Sequence, residues 1–389
     1  MKVKSSEYLT NTRPLLKKLL NRLLESFSYA SILAVDSEAY QYRVSKTVTF
    51  MGEDDLLCNR GFVIKVYDGN AYGEYSFNDI SEEKIEDIVS MVKSVVALKE
   101  SVNGMTLSQY KQLEDEPCTF CESTDYEIAP EDMGDEAILA KLTEIKDDAL
   151  LYDKKILNAT VGLSTQKYSK LFLSPNRDME QNVMWACGML MVDAKKDAVV
   201  KYSFKGFSNL GGIEIMRDIR GGIGHVGKNT LELLEASPIE PGEYDCICTP
   251  EVTGMIAHEA FGHGVEMDMF VKDRALAKSY VGKDVAAPVL TMHDGANMAC
   301  EHEVASYFFD DEGVLSKDTV VIKDGVLQTG ISDAQSAMSL GTVPTGNGRR
   351  ESYKRKAYTR MTNTYFEPGK DKLEDMIASI KYGFLLEDA

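Results

Sequence analysis

Leu16, Leu19, Leu20, Leu23, Leu24 and Phe27 recur at helical spacing, which predicts an amphipathic first helix with its apolar stripe in the core. The period then changes. Ser31 to Val35 reads as a strand, Tyr40 to Phe50 alternates as a second and Arg60 to Tyr67 as a third; Asp68-Gly69-Asn70 supplies a hairpin turn into Tyr72 to Phe77. Glu82 to Leu98 returns to helical spacing, with Ile85, Ile88, Val89, Val92 and Val96 on one side. Residues 99–134 are polar and acidic and predict a connector. A helix over 135–152 and strands through 156–204 follow. Asn209 to Glu235 is rich in glycine and predicts a connecting or hinge segment. Its Gly224-His225-Val226-Gly227-Lys228-Asn229 lacks the spacing and the G-K-[ST] of a phosphate loop.

Pro238 and Pro241 mark a boundary before a strand at Tyr244 to Cys248. A helix start comes next: Thr249 can cap, Pro250 suits the first turn and Glu251 favours the N-terminal dipole. Val252, Met255, Ile256 and Phe261 predict an apolar anchor for that helix. A strand near Val289 to Met292 and a hairpin, Val320 to Lys323 turning at Asp324-Gly325 into Val326 to Thr329, complete the pattern. The fold class is α+β with two domains: residues 1–236, mixing helices with antiparallel hairpins, and residues 237–389, β-rich with one metal-bearing helix.

That helix carries the chemistry. His258-Glu259-Ala260-Phe261-Gly262-His263 places two imidazoles and a carboxylate within six residues of a chain that has only five histidines. Imidazole nitrogens bind zinc, and a carboxylate beside the first ligand can take a proton from zinc-bound water. One residue more than in H-E-x-x-H separates the histidines. On a regular helix, positions four apart differ by about 40° around the axis and positions five apart by about 140°. The segment therefore needs either a π-type turn, which restores a shared face, or a helix end near Gly262. The glycines that flank His263 make either relaxation easy.

Ala257 to Asp268 (AHEAFGHGVEMD) resembles the metal-site segment of the TldD/PmbA family of metallopeptidases. Two further blocks, Pro344 to Tyr353 (PTGNGRRESY) and Arg360 to Tyr365 (RMTNTY), are similar to the TldD branch and fall in its order, and Arg217 to Gly222 also fits. The TldE (PmbA) branch lacks the two-histidine motif, so the resemblance is to the TldD-type subunit. It implies a zinc peptidase that cleaves flexible or unfolded peptides, as in peptide-antibiotic maturation or antitoxin turnover. It also implies a TldE/PmbA-type partner subunit, with a homodimer as the other arrangement. Residue by residue, His258 and His263 become zinc ligands and Glu259 the general base.

The family's third ligand is a cysteine in a G-x-C element near the C-terminus. No G-x-C follows His263 within these 389 residues, and the expectation is a chain that lacks the family's C-terminal part. Catalytic zinc normally takes three protein ligands and a water. The local substitutes to test are Cys300, His302, His293, Glu266 and Asp268. The alternative function is a non-catalytic binding or assembly subunit of a TldD/TldE-type complex.

In the glycine-rich block before them, Arg349 and Arg350 are candidate substrate-binding residues. Either can hold a substrate carboxylate or stabilise an oxyanion, or both can pair with local acids such as Glu351. A net charge of −19 argues against nucleic-acid binding, which depends on phosphate neutralisation. No apolar run approaches the roughly 18 residues of a membrane span. Seven scattered cysteines with no apolar signal core predict reduced thiols and a cytoplasmic protein. Cys118-Thr119-Phe120-Cys121 has no second C-x-x-C to complete a structural zinc site.

Overall fold

The computed structural model describes residues 1–101, 111–296 and 303–387. Its architecture is α+β, as expected. The largest element is an eight-stranded sheet built from β1 (Tyr29–Val44), β2 (Thr49–Glu53), β3 (Asn59–Tyr67), β4 (Tyr72–Phe77), β5 (Cys118–Ser123), β6 (Ile156–Leu173), β7 (Arg177–Lys196) and β8 (Val199–Asn209). The order is β4-β3-β1-β6-β7-β5, with β2 on the second half of β1 and β8 on the second half of β7. The pairs are antiparallel except β5 with β7.

Both faces of β1 are covered, which is why Ile32 to Val35 is an unbroken apolar run rather than an alternating one. Ile32 and Ala34 pack with Leu16, Leu19 and Leu23 of the helix Glu7–Leu24, whereas Leu33 and Val35 pack with Phe309 and Tyr353 from the C-terminal part. The helix Asp135–Leu150 covers the far half of the sheet, with Ile138, Leu142 and Ile145 against Val161 and Leu190.

Three sequence expectations are corrected. The break expected between Val35 and Tyr40 is absent, because Asp36 and Ser37 find partners within the strand's own layer. Asp36 accepts from the Ser6 hydroxyl and pairs with Arg60 at 2.7 Å, while the Ser37 hydroxyl donates to the Leu57 carbonyl. The acidic connector contains β5, held in parallel register by β7. The glycine-rich stretch after Asn209 folds as helices, Met216–Gly221 and Ile223–Leu233. Gly222 and Gly227 serve close packing: a Cβ would lie 2.5 Å from the Phe207 ring at the first and 2.5 Å from the Tyr152 ring at the second.

In the C-terminal part, β10 (Met292–Gly295), β11 (Asp318–Lys323), β12 (Val326–Leu327) and β15 (Asn363–Phe366) form a sheet in the order β12-β11-β10-β15. Two smaller pairs join it: β9 (Asp245–Cys248) with β16 (Gly383–Leu386), parallel, and β13 (Gly348–Arg349) with β14 (Tyr358–Thr359). The hairpin turn falls where expected, with Asp324 and Gly325 at φ +50° and +82°. The strand expected near Val289 begins instead at Met292, and Val289 is 94% exposed. Short helices Met267–Val271, Ala334–Leu340 and Leu373–Ser379 make this part less purely β than expected.

This part is fastened to the first sheet by buried polar bonds. Gln181 Nε2 donates to the Phe309 carbonyl at 2.8 Å, and Phe308 N–H returns a bond to Gln181 Oε1. Lys170 pairs with Asp311 at 2.5 Å, Lys65 with Glu312, and Arg350 with Glu74 at 2.7 Å. No helix of the described residues is long and apolar enough to cross a membrane.

Candidate metal centre

The helix Pro250–Ile256 runs directly into a single π turn, Ala257–Gly262, and then into a 3-10 turn, His263–Val265. The π hydrogen bond spans the motif itself: His263 N–H donates to the His258 carbonyl. One extra residue per turn brings the two imidazoles to one side. Their ring centroids are 4.8 Å apart and their planes cross at 81°. A Cβ on Gly262 would lie 2.0 Å from Met361 Sδ, so only glycine lets this turn sit on Met361.

Val252 and Ala257 are buried, and Phe261 packs against the cluster formed by Val265, Met292, Ile322 and Ile331. Met255 and Ile256, expected in the same anchor, are 48% and 40% exposed, because the core contact lies on the Val252–Ala257 side of the turn. Thr249 caps with its backbone alone: Thr253 N–H donates to its carbonyl, and its side chain makes no cap bond.

His258, Glu259 and His263 are exposed, and Glu266 is buried directly behind them. Glu266 Oε1 lies 3.5 Å from His263 Nδ1 and makes no hydrogen bond; Oε2 lies 3.6 Å from Arg360 Nη1. Burial pushes the Glu266 carboxyl above the ordinary carboxylate range, against the pull of Arg360 and then His263. The backbone on either side is pinned, since Met267 N–H donates to the Ile331 carbonyl and Ile331 N–H to that of Val265. Arg360 and Met361 are the neighbours that sequence reasoning missed. Their only signal was membership of the Arg360 to Tyr365 block.

Of the remaining candidate ligands, Asp268 is turned to Lys272 at 2.9 Å. His293 has both ring nitrogens engaged, with Asp318 and Glu367 at 2.9 Å each and Tyr365 stacked on its face. Cys300 and His302 lie outside the described residues. Arg350 is 5% exposed and donates twice to Glu74; Arg349 is exposed, with Nη1 on the Met361 carbonyl at 2.9 Å. Neither makes the ion pair with Glu351 that sequence reasoning held open; Glu351 pairs with Arg355. Among the described residues, no group of three or more His, Cys, Asp or Glu is arranged to hold a metal. The donor chemistry nevertheless suits zinc in part. Two neighbouring imidazoles stand open to solvent, and a buried carboxylate with an orphaned oxygen backs one of them.

The family model for the PmbA/TldA metallopeptidase C-terminal domain matches residues 241–389, and the His258–His263 turn lies inside that match. Over those residues the chain matches the C-terminal domain of the PmbA/TldD family. A metalloprotease of Methanocaldococcus jannaschii is 27% identical over 95% of this chain and 80% of its own length. A zinc metalloprotease TldD homolog of Saccharolobus solfataricus is 33% identical over 51% of this chain and 44% of its own. In three dimensions, TldE of Thermococcus kodakarensis superimposes with a TM-score of 0.73 at 19% identity, over 95% of this chain and 81% of that one. The chain thus shares its fold with TldE, and the two relatives above carry metalloprotease names.

Proposed function

We propose that this chain is the metal-bearing, TldD-type subunit of a zinc-dependent peptidase acting on flexible or unfolded peptides. The observation that carries the reading is the π turn, which sets His258 and His263 side by side with Glu259 between them in sequence. His258 and His263 would hold the zinc. When bound, zinc acidifies water and polarises a peptide carbonyl. Glu259, exposed beside His258, accepts the proton of the attacking water and returns it to the leaving amine. Glu266, whose Oε1 stands 3.5 Å from His263 Nδ1, would accept from Nδ1 and so leave Nε2 for the metal, with Arg360 3.6 Å from its other oxygen. Open exposure of all three motif residues suits an extended peptide better than a small enclosed substrate. The likeness to TldE supports a partner subunit of that kind.

The test is Glu259→Gln in the complex with a TldE-type partner. The variant keeps its zinc and loses hydrolysis of an unfolded substrate such as casein; hydrolysis at the wild-type rate would remove Glu259 from the mechanism.

A second reading rests on the absence of a three-donor group among the described residues. In it the chain is a binding or assembly subunit that does not itself hydrolyse. Assay of the complex separates the two: loss of all activity on His258→Ala supports the first, and unchanged activity supports the second.

A further inference from the structure

Between the first sheet and the segments around Tyr307 and Arg349 lies an open cavity of about 360 Å³, walled by Tyr168, Trp185, Tyr307 and Phe309. Trp185 is held in place by donating Nε1–H to Gln166 Oε1 at 2.8 Å, and the Tyr307 hydroxyl is turned away onto the Gly346 carbonyl at 2.6 Å. Three cations border this space. Lys170 is committed to Asp311, and Arg350 to Glu74. Arg349 differs. Nη1 rests on a backbone carbonyl; among the described residues the other guanidinium nitrogens make no hydrogen bond and no carboxylate pairs with it. An exposed guanidinium edge with one anchored nitrogen is a preformed fork for a carboxylate. Beside aromatic walls it matches a ligand that carries both an anionic and an apolar group.

We propose that this cavity binds the carboxylate of an aromatic or apolar residue, such as the C-terminal residue of a peptide, with Arg349 holding the carboxylate and Trp185 and Tyr168 flanking the side chain. The identification of the ligand as a peptide end rests on the peptidase reading; the anion and aromatic chemistry does not. The cavity also touches the metal turn through one residue. Arg349 bonds the Met361 carbonyl, and Met361 packs against Gly262 between the two histidines. Arg349 and Arg350, adjacent in sequence, thereby part in role: Arg350 fastens the two sheets and Arg349 faces the ligand.

Trp185 is the only tryptophan of the chain, so emission excited selectively at tryptophan, beyond the tyrosine absorption band, reports on this cavity. The full chain, stripped of metal with EDTA, is titrated with N-acetylphenylalanine and with N-acetylphenylalaninamide. The acid produces a saturable change in tryptophan emission, and the amide binds at least tenfold more weakly. Arg349→Gln weakens binding of the acid by a similar factor, Arg349→Lys restores part of it, and Glu259→Gln leaves it unchanged. Equal binding of acid and amide, or no saturable response to the acid, overturns the proposal, and neither result depends on how Arg349→Gln folds. A folded Arg349→Gln that binds the acid like wild type also overturns it. No metal and no turnover enter the measurement, so failure here leaves the peptidase reading standing, and failure of that reading leaves the fluorescence response intact.

Discussion

Gly262 and Met361 are in direct contact: the space for a Cβ at Gly262 is filled by Met361 Sδ, 2.0 Å from where that carbon would stand. Gly262 closes the π turn, so this contact couples the shape of the turn to the loop that carries Arg360. Its backbone, at φ −50°, is one that alanine adopts freely, which makes Gly262→Ala a test of space alone. Overpacking of this kind costs about 1–3 kcal/mol. Gly262→Ala should lower the urea midpoint, and adding Met361→Ala should recover part of the loss. Additive losses in the double variant would contradict the contact.

Glu266 is the buried carboxylate that faces the His263 ring, 3.5 Å from Nδ1. Loss of a carboxylate behind a metal-binding histidine typically weakens metal affinity about 10–100-fold. Glu266→Gln should fall near the low end of that range, because an amide oxygen in that place would be able to accept from Nδ1 of a metal-bound ring. Glu266→Ala should fall near the high end. Competition for zinc against a chromophoric chelator measures both; wild-type affinity in Glu266→Ala would remove Glu266 from the centre.

The seam between the sheets predicts an acid-sensitive stability. Although burial pushes the Glu74 carboxyl up, Lys65 and Arg350 hold it down to about 2. A carboxyl depressed below its unfolded value stabilises the fold above the unfolded pKa, and that stability is lost as pH falls toward the folded one. The window here runs from about 4.5 down to about 2. Glu74→Gln should therefore be less stable than wild type at pH 7, by about 3 kcal/mol for a broken buried pair. The gap should close as pH falls through that window. Urea unfolding at pH 7, 4 and 2.5 checks it; a gap that stays constant would mean that the ion pair is not its source.

Local signals in the sequence were faithful where local geometry decides structure. The helix over Glu7–Leu24, the turn at Asp324-Gly325 and the π turn at His258–His263 all rest on spacing within a few residues, and all three are present. Long-range partners were not legible. Asp36 stays in β1 because of Ser6 and Arg60, and β5 exists because β7 offers it an edge. The partner of Arg350 is Glu74, 276 positions away, so no reading of neighbouring acids could have found it. Gly222 and Gly227 resembled hinge residues because their purpose, close approach to Phe207 and Tyr152, belongs to tertiary packing. A third metal donor is illegible for a related reason: it depends on what stands across from the turn, not on the motif.

The central claim is that the His258–His263 turn holds zinc. The most direct measurement is zinc content by elemental mass spectrometry of the chain purified together with a TldE-type protein, beside His258→Ala in the same preparation. About one zinc per TldD-type chain, lost in the variant, is the predicted result. Equal zinc in both, or none in the wild type, would contradict it.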